Sequence, residues 1–159
     1  GSHLPWYRLG NCRIGNTNYN FEGNARQADT LATGKLIVEN AYMYLNAPYL
    51  WGGRSPFGID CSGLTQMAYK LCGIQLKRDA WMQAEMGQPV HLLDETQPGD
   101  LAFFDNEEGK IIHVGILTSK NRIIHASGQV RIDSIDHHGI FNTDLRKYTH
   151  NLRLIKRIL

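Results

Sequence analysis

The sequence has few cysteines, no long apolar run and almost no net charge, and each of these absences excludes a class of protein. No stretch approaches the ~18 consecutive apolar residues that a membrane span needs. The 17 basic and 15 acidic side chains leave a net charge of only +2, which gives no field that would favour nucleic acid or an anionic membrane. We therefore expect a soluble chain without a membrane span or a nucleic-acid partner, whose ligand must be identified from a site.

The cysteines do not form the framework of the fold. Three cysteines cannot all pair within one chain, so at least one thiol is free or bonded to another chain. Their spacing contains no CxxC pair of the kind that zinc knuckles use. With 159 residues, of which 42% are hydrophobic, the chain has enough apolar material for the core of one domain. A small domain of this composition is expected to be a monomer.

The N-terminal part of the chain differs in composition from the rest. Residues 1–3 resemble what remains of a cleaved affinity tag, so the natural N-terminus and any signal peptide lie outside this sequence. Residues 4–29 are rich in Asn, Gly and Arg, with scattered aromatics, and show neither helical nor strand periodicity. We predict an irregular arm that packs its aromatics on the domain or is the tail of an upstream domain, while residues 30–159 form the domain itself.

Two helical stretches followed by short strands indicate an α+β domain. Apolar positions at helical spacing predict helices at 30–46 and 61–72, and a short one near 80–86. After a turn at 97–100 the pattern becomes strand-like with short connections, which implies antiparallel pairing and helices packed on one face of the sheet. The first helix would bury Ile37, Ala41, Tyr44 and Leu45. The predicted strands are 101–104, 111–117, 122–127, 130–135 and 152–158.

Cys61 begins the second predicted helix, a position that suits a reactive thiol. A helix N-terminus supplies partial positive charge and unpaired backbone N–H groups, and both stabilise a thiolate. Cysteine is more often a small buried hydrophobe, but Asp60 and Ser62 on either side of Cys61 do not belong in an apolar core. Cys72 lies at the opposite end of the helix and is assigned to packing, and Cys12 is given no role.

Two histidines interrupt apolar strands and are candidate partners of this thiol. His113 and His125 each stand between apolar neighbours in adjacent predicted strands, and they share a face if the numbers of paired residues sum to an even value. His113 would be the base and His125 would orient its ring, and such a site can rest as thiolate and imidazolium.

The residues around these histidines are interpreted in the same way. Gly115 beside His113 would leave room for a helix end or a substrate. The opposite face of that strand is read as core: Ile112, Val114 and Ile116. The histidines in polar surroundings are read as solvated: His91, His137, His138 and His150.

A glycine-rich loop precedes the second helix. Residues 48–53 read Pro-Tyr-Leu-Trp-Gly-Gly, and Gly52 and Gly53 permit positive φ and a close approach of the backbone to a ligand. Tyr49 would then project its hydroxyl toward the cleft. Tyrosine and tryptophan before a glycine turn are also common as packing residues, and periodicity does not separate the two interpretations.

Four motifs in a fixed order resemble the NlpC family of cell-wall cysteine peptidases. They are PYLWGG at 48–53, DCSG at 60–63, HVGI at 113–116 and IHAS at 124–127. The resemblance covers roughly residues 35–135 and is far more specific than any one motif. It implies a papain-like α+β fold with no metal or other cofactor. It also implies hydrolysis of the bond that joins γ-D-glutamate to a diamino acid, diaminopimelate or lysine, in peptidoglycan stem peptides.

The resemblance assigns catalytic roles by position. Cys61 matches the nucleophile, His113 the base and His125 the residue that orients the base. Tyr49 matches a side chain that forms an oxyanion hole together with the backbone N–H of Cys61. Turnover would pass through a thioester that water hydrolyses.

The resemblance also suggests a substrate-binding side of the cleft. Asp60 and Ser62 resemble the pair that, in relatives acting on free stem peptides, binds the amino group of an N-terminal L-alanine, and Trp51 is placed beside the substrate with them. Arg78 is a candidate ligand of a substrate carboxylate from charge and position, with a surface role as the alternative. Such relatives often carry SH3-like domains before the catalytic one, which would make residues 4–29 a leftover boundary.

Two other classes of function stay open at this level. The thioester could pass its acyl group to an amine, which would make the protein an amidase, transpeptidase or acyltransferase. Alternatively, Cys61, His113 and His125 could hold zinc, or the domain could bind peptidoglycan without cutting it. Because peptidoglycan lies outside the cytoplasmic membrane, a periplasmic or secreted location is expected, with cytoplasmic recycling of wall fragments as the alternative.

Overall fold

The computed structural model describes residues 2–25 and 32–159, so the predicted start of the first helix at residue 30 lies outside the described residues. The helices are α1 (Gly34–Tyr42), α2 (Cys61–Lys70) and α3 (Ala80–Gln83), with a 3₁₀ turn at Leu93–Glu95. Each α-helix ends earlier than the sequence predicts. No helix within the described ranges is long and apolar enough to cross a membrane.

Helix α1 packs one face on α2 and ends well before Pro48. Ile37, Ala41 and Tyr44 are buried as predicted. Asn46 then takes a φ of 67°, in the left-handed region that does not continue a right-handed helix. The turn leaves Leu45 40% exposed, so the prediction that this residue is buried is wrong.

Most strands belong to one antiparallel sheet that closes on itself. The strands, in chain order, are β1 (Asn11–Ile14), β2 (Thr17–Asn20), β3 (Arg54–Ser55), β4 (Gly58–Ile59), β5 (Gln88–Val90), β6 (Leu101–Asp105), β7 (Ile111–Ser119), β8 (Arg122–Ser127), β9 (Gln129–Ile135), β10 (Gly139–Asn142) and β11 (Lys147–Arg157). The large sheet has the order β10-β9-β8-β7-β6-β11-β5, and β10 also pairs with β11. Six of its strands therefore form a closed ring, with β5 outside.

The architecture is α+β as predicted, but the closure of the sheet is not. The sequence does not predict β5, which contains Pro89, or the short β10. Strand β11 begins at Lys147 rather than at residue 152, because a polar stretch without clear alternation pairs with β10 to complete the ring. The helices pack on one face of this sheet, as expected, and the ring encloses the other.

Two apolar cores lie on the two faces of the sheet. The first lies between the helices and the sheet, where Val114 and Ile116 of β7 join Leu64 of α2. The second lies inside the ring and includes Phe104 and Leu117. Because side chains alternate along a strand, the face of β7 that carries His113 belongs to the inside of the ring.

Ile112 departs from this alternation. Phe104 of β6 pairs with His113, and Asp105 pairs with Ile111, so no residue of β6 opposes Ile112. Such an extra residue is a β-bulge, which redirects the local side chains. Ile112 is consequently 56% exposed, and the prediction that it belongs to the core is wrong.

Residues 4–29, predicted to be irregular, contain a β-hairpin. Strands β1 and β2 pair in register around Gly15 and Asn16, and this dipeptide is a known hairpin signal that the polar, four-residue strands obscure. Tyr7 packs edge to face on Phe21 of the same segment, and Trp6 and Tyr19 are exposed. The predicted boundary between residues 29 and 30 lies outside the described residues.

Gly115 is required by packing between β7 and β8. A Cβ atom at this position would lie 2.6 Å from Cδ1 of Ile123 and 2.9 Å from Cβ of His125. The space that the sequence analysis reserves for a helix end or a substrate is therefore filled by the neighbouring strand, and that expectation is wrong.

We predict that Gly115→Ala lowers the free energy of unfolding by about 1–3 kcal/mol, the usual cost of overpacking a core. The added methyl group must displace Ile123 or His125, both of which are fully enclosed. Chemical denaturation followed by circular dichroism measures the change. An unfolding free energy equal to that of the wild type would mean that β8 can move to accept the methyl group.

Candidate active site

Cys61 is the first residue of α2, as the sequence predicts. Asp60 precedes it as the N-cap, and its Oδ1 accepts a hydrogen bond from the backbone N–H of Gly63 at 2.6 Å. The start of the helix presses Cys61 against β7, where the backbone N–H of Val114 reaches its sulfur. The thiol therefore lies beside the residue that follows His113, and Cys61 as a whole is 7% exposed.

The surroundings of Cys61 favour the protonated thiol. Burial raises the pKa of the Cys61 thiol, and the negative charge of Asp60 raises it further. Hydrogen bonds from backbone N–H groups, that of Val114 first among them, lower the pKa but do not outweigh the burial. The raised pKa of Cys61 therefore favours the thiol over the thiolate in the substrate-free protein, and a base is needed to remove its proton.

His113 and His125 form a buried hydrogen-bonded chain that continues to Asp133. Nε2 of His113 lies 2.9 Å from Nδ1 of His125, and Nε2 of His125 lies 2.9 Å from Oδ2 of Asp133. Gly115 of β7 pairs with His125 of β8, so the residue numbers of paired positions here sum to an even value. This confirms the prediction that His113 and His125 share a face of the sheet. The two imidazoles thus share the inner face of the ring, and each orients the next.

His113 is held neutral. Burial lowers the pKa of the His113 imidazole well below its usual value, and the neighbouring His125 and His150 lower it further. Together with the raised pKa of Cys61, this favours thiol and neutral imidazole in place of the resting ion pair expected from the sequence. A neutral imidazole is the form that can accept a proton.

His150 is a third member of this cluster, although it is predicted to be solvated. Its ring stacks on that of His113, with centroids 4.1 Å apart and an interplanar angle of 28°. Burial and the neighbouring His125 lower the pKa of His150 to about 4. The error follows from the late predicted start of β11, which left His150 in a loop. His91, His137 and His138 are exposed, as predicted.

The three clustered histidines bring ring nitrogens close together but do not direct them at one point. One ring nitrogen from each of His113, His125 and His150 lies within 4.8 Å of the others. Nε2 of His113 and Nδ1 of His125 are hydrogen-bonded to each other, and Nε2 of His125 is bonded to Asp133. The rings of His113 and His150 are stacked, so their in-plane lone pairs lie side by side rather than pointing toward one metal ion. Zinc held by Cys61, His113 and His125 is therefore not favoured by this geometry.

Asp60 and Arg78 form an ion pair at the wall of the cleft. One terminal nitrogen of Arg78 donates to Oδ2 of Asp60 at 2.6 Å, and the other donates to Oδ1 at 3.2 Å and to Oγ of Ser62 at 2.8 Å. The backbone N–H of Gly52 also donates to Oδ2, at 2.8 Å. Burial alone would raise the pKa of Asp60, but the hydrogen bonds from Arg78, Gly63 and Gly52 lower it, so the carboxylate is charged.

A cleft of about 350 Å³ brings most of the predicted site residues together. Its lining includes Tyr49, Trp51, Asp60, Cys61, Ser62 and Arg78, and Ile111, Ile112 and residues 79–81 complete it. His113 and His125 do not line the cleft and lie behind it, inside the sheet. Trp51 is 86% exposed at the rim, where its ring is available to a ligand.

The glycine-rich loop carries Tyr49 into this cleft. Burial raises the pKa of the Tyr49 hydroxyl, and the electrostatic influence of Cys61 and Asp60 raises it further, so the hydroxyl is a protonated donor. Tyr49 and Cys61 line the same cleft. Gly52 adopts a φ of 82°, as predicted. Gly53 is needed for a different close approach, because a Cβ atom there would lie 2.4 Å from the carbonyl oxygen of Gly58.

Asp133 and Arg131 also belong to this network and are not identified from the sequence. Arg131 donates to both oxygens of Asp133, at 2.8 and 2.9 Å. Asp133 shares its strand face with Ile135, which lies in the core inside the ring. A charged residue on an apolar face is the signal that could have identified it.

The chain matches the family model described as NlpC/P60 family over residues 46–149. It is 40% identical over 109 residues to the gamma-D-glutamyl-L-lysine dipeptidyl-peptidase of Bacillus subtilis, which covers 64% of this chain and 36% of that protein. It is 39% identical over 115 residues to dipeptidyl-peptidase 6 of Lysinibacillus sphaericus, which covers 69% of this chain and 40% of that protein. The chain thus spans about two fifths or less of these curated relatives.

Solved structures give the same result. The crystal structure of an NlpC/P60 family protein from Bacillus cereus superposes with a TM-score of 0.72 and 26% identity, covering 98% of this chain and 53% of that one. The NlpC/p60 domain of the peptidoglycan hydrolase SagA superposes with a TM-score of 0.59 and 33% identity, covering 65% of this chain and 90% of that one.

We predict that Asp60→Asn lowers the free energy of unfolding more at pH 7 than at pH 2. The pKa of Asp60 is lower in the folded protein than its ordinary value of 3.8. Its contribution to stability is therefore present above that ordinary value and is lost as the pH falls through the folded value. Denaturation of both proteins at the two pH values measures the difference in unfolding free energy.

The matched control is Asp94→Asn, because the Asp94 side chain is 95% exposed. This variant should unfold like the wild type at both pH values. An Asp60→Asn effect of the same size at pH 7 and pH 2 would show that the charge of Asp60 does not stabilise the fold.

Proposed function

Since this chain belongs to the NlpC/P60 family, we propose that it is a cysteine peptidase that hydrolyses the bond between γ-D-glutamate and the diamino acid of peptidoglycan stem peptides. The observation that carries this proposal is the position of Cys61, at a helix N-terminus on the floor of a cleft and against the strand that bears His113. The names of the relatives at about 40% identity support the bond type.

The proposed reaction divides into two acyl-transfer steps. His113 takes the proton of Cys61, and the sulfur attacks the γ-carbonyl carbon of the glutamyl residue. The oxyanion is held by the hydroxyl of Tyr49 and by the backbone N–H of Cys61. His113 then gives its proton to the leaving amine, and water hydrolyses the thioester with His113 again as base. His125 keeps the ring of His113 in position, from 2.9 Å away.

The Asp60–Arg78 ion pair gives the cleft a dipolar wall that suits a zwitterionic ligand. A free stem peptide presents an ammonium group on L-alanine and a carboxylate on D-glutamate. We place the ammonium at Asp60 and Ser62 and the carboxylate at Arg78, with Trp51 at the rim. Because Arg78 already neutralises Asp60, neither charge alone would hold the ligand, and a peptide that carries both should bind best.

The wider setting of the chain is also a proposal. The Bacillus cereus structure aligns with nearly the whole chain, whereas the separate SagA domain aligns with 65% of it. This difference supports residues 4–29 as the remnant of an upstream, SH3-like region of a longer protein. Peptidoglycan lies outside the cytoplasmic membrane, so we infer a periplasmic or secreted site of action, with recycling of wall fragments in the cytoplasm as the alternative. We propose that the domain acts as a monomer.

We predict that the wild-type chain, but not Cys61→Ala, releases L-Ala-γ-D-Glu from L-Ala-γ-D-Glu-diaminopimelate or from its lysine counterpart. Mass spectrometry of the products identifies the bond that is cut and the preferred diamino acid. A substrate acetylated at the alanine nitrogen serves as the matched control and should be cleaved more slowly, because it lacks the ammonium group.

Other outcomes of that assay would contradict the proposal. Intact substrates with both proteins would exclude this activity for the chain as it stands. Products in which the glutamyl group is joined to an added amine would identify a transferase. Cleavage by Cys61→Ala would exclude Cys61 as the nucleophile.

We predict that Tyr49→Phe lowers kcat/KM about a hundredfold, because one oxyanion donor contributes about 3 kcal/mol to the transition state. The ring of Tyr49 is retained, so circular dichroism and thermal unfolding should match the wild type. Steady-state hydrolysis of the preferred peptide measures the effect. A variant that keeps the full rate would remove Tyr49 from the oxyanion hole.

A further inference from the structure

Asp133 of β9 is a buried carboxylate at the far end of the histidine chain. Its side chain has no exposed area, and its Oδ2 lies 2.9 Å from Nε2 of His125. Arg131 on the same strand donates to both of its oxygens, and the terminal nitrogen that donates to Oδ1 also donates to Asp144 at 2.8 Å. A charge can be buried only when it is paired in this way.

The hydrogen bonds determine the charge state of Asp133. Burial alone would raise the pKa of this carboxyl, but hydrogen bonds from His125 and Arg131 lower it below its ordinary value. Asp133 is therefore a carboxylate at neutral pH, and a carboxylate can only accept hydrogen bonds. The nitrogen of His125 that faces it must carry a proton.

The proton on Nε2 of His125 determines the tautomer of His125 and, through it, that of His113. A neutral imidazole has one N–H donor and one acceptor nitrogen. In the neutral form of His125, a proton on Nε2 therefore leaves Nδ1 as an acceptor. The 2.9 Å contact between that nitrogen and Nε2 of His113 then requires a proton on His113 Nε2. In neutral His113 the lone pair is consequently on Nδ1, the one nitrogen left to accept a proton from Cys61.

We propose that Asp133 is a positioning residue that acts through His125 to hold His113 in the tautomer able to deprotonate Cys61. The inference rests on the proposed function in one respect, that His113 is the base. When the S–H bond of Cys61 breaks, an N–H bond forms at Nδ1 of His113, whose ring becomes positively charged. Asp133 then supplies a negative charge at the opposite end of the chain, which favours the charged ring.

Several other titratable groups lie near Cys61, His113 or Asp133, and they are left unchanged when Asp133 is replaced. Those near Cys61 are Asp60, Arg78 and Tyr49. Those near His113 are His125 and His150. On the outer side of Asp133 lie Arg131 and Asp144. The control Asp144→Asn removes one acidic partner of Arg131, as a replacement of Asp133 does, without touching a histidine.

The tautomers can be measured directly. Two-bond ¹H–¹⁵N correlation spectra of the imidazole rings near pH 7, assigned with His113→Gln and His125→Gln, should place the proton on Nε2 of both rings. Asp133→Asn should keep both tautomers, because the position beside His125 receives N–H groups from both His125 and Arg131 and therefore favours the amide oxygen over the amide NH₂ group. Asp133→Ala removes the acceptor and should let His125 adopt the tautomer with its proton on Nδ1. His113 would then carry its proton on Nδ1 as well, because its Nε2 must accept from His125.

Alkylation of Cys61 by iodoacetamide gives the second readout. All three cysteines are largely buried, so Cys61→Ala measures the background from Cys12 and Cys72. Loss of the charge in Asp133→Asn should lower the rate at neutral pH about tenfold, for a shift of one pKa unit. Loss of the tautomer in Asp133→Ala should lower it about a hundredfold, the smaller end of the range for a general base. Asp144→Asn should react like the wild type.

The outcomes separate this inference from the proposed function, since neither readout uses a peptide. A proton on Nδ1 of His125 in the wild type would overturn the inference, and so would a wild-type alkylation rate in Asp133→Asn. If Asp133→Ala does not fold, which its spectrum reports, the wild-type tautomers and Asp133→Asn still decide the matter. Predicted tautomers in a chain that cleaves no stem peptide would refute the function and leave the role of Asp133 intact.

Discussion

The carboxylate of Asp60 is the group on which the rest of the site depends. It caps the helix that begins with Cys61, and it binds the backbone of the glycine-rich loop at Gly52. It also holds Arg78, which comes from the segment before α3. One side chain thereby sets the positions of the nucleophile, of the loop that carries the proposed oxyanion donor and of the Arg78 cation in the wall of the cleft. This arrangement has an electrostatic cost, because the same charge raises the pKa of the thiol that it positions.

The two sides of the site have different environments. The cleft side is lined by charged and aromatic groups in contact with solvent, whereas the histidine side lies within the closed sheet, against Phe104. Burial therefore raises the pKa of the Cys61 thiol and lowers the pKa of the His113 imidazole, and both shifts favour the neutral form of the group before substrate binds. A neutral pair costs less to bury than an ion pair. In the proposed role of Asp133, its buried negative charge offsets part of the effect of burial on His113, because it favours a positive charge on that ring.

The sequence predicts the parts of the site that depend on local signals. The helix start at Cys61 follows from its cap, and the shared face of His113 and His125 follows from strand parity. Features that depend on distant pairing are not predicted. The stacking of His150 requires the closure of β10 on β11. The role of Asp133 requires the pairing of β8 with β9, which puts His125 diagonally across from Asp133, two residues beyond its own partner Ile123. Ile112 is misplaced for a similar reason, because a bulge is visible only once β6 is paired with β7.

The order of these elements along the chain has a consequence for how the protein is made. The helices lie in residues 34–83, and the ring is built from residues 101–157, with β11 as the strand that closes it. A ribosome therefore releases the thiol long before the last strand exists, and the bases have no enclosed environment until that strand is added. The histidines therefore gain their enclosed setting beside Cys61 only when β11 closes the ring, and the proposed catalysis depends on that last step of assembly.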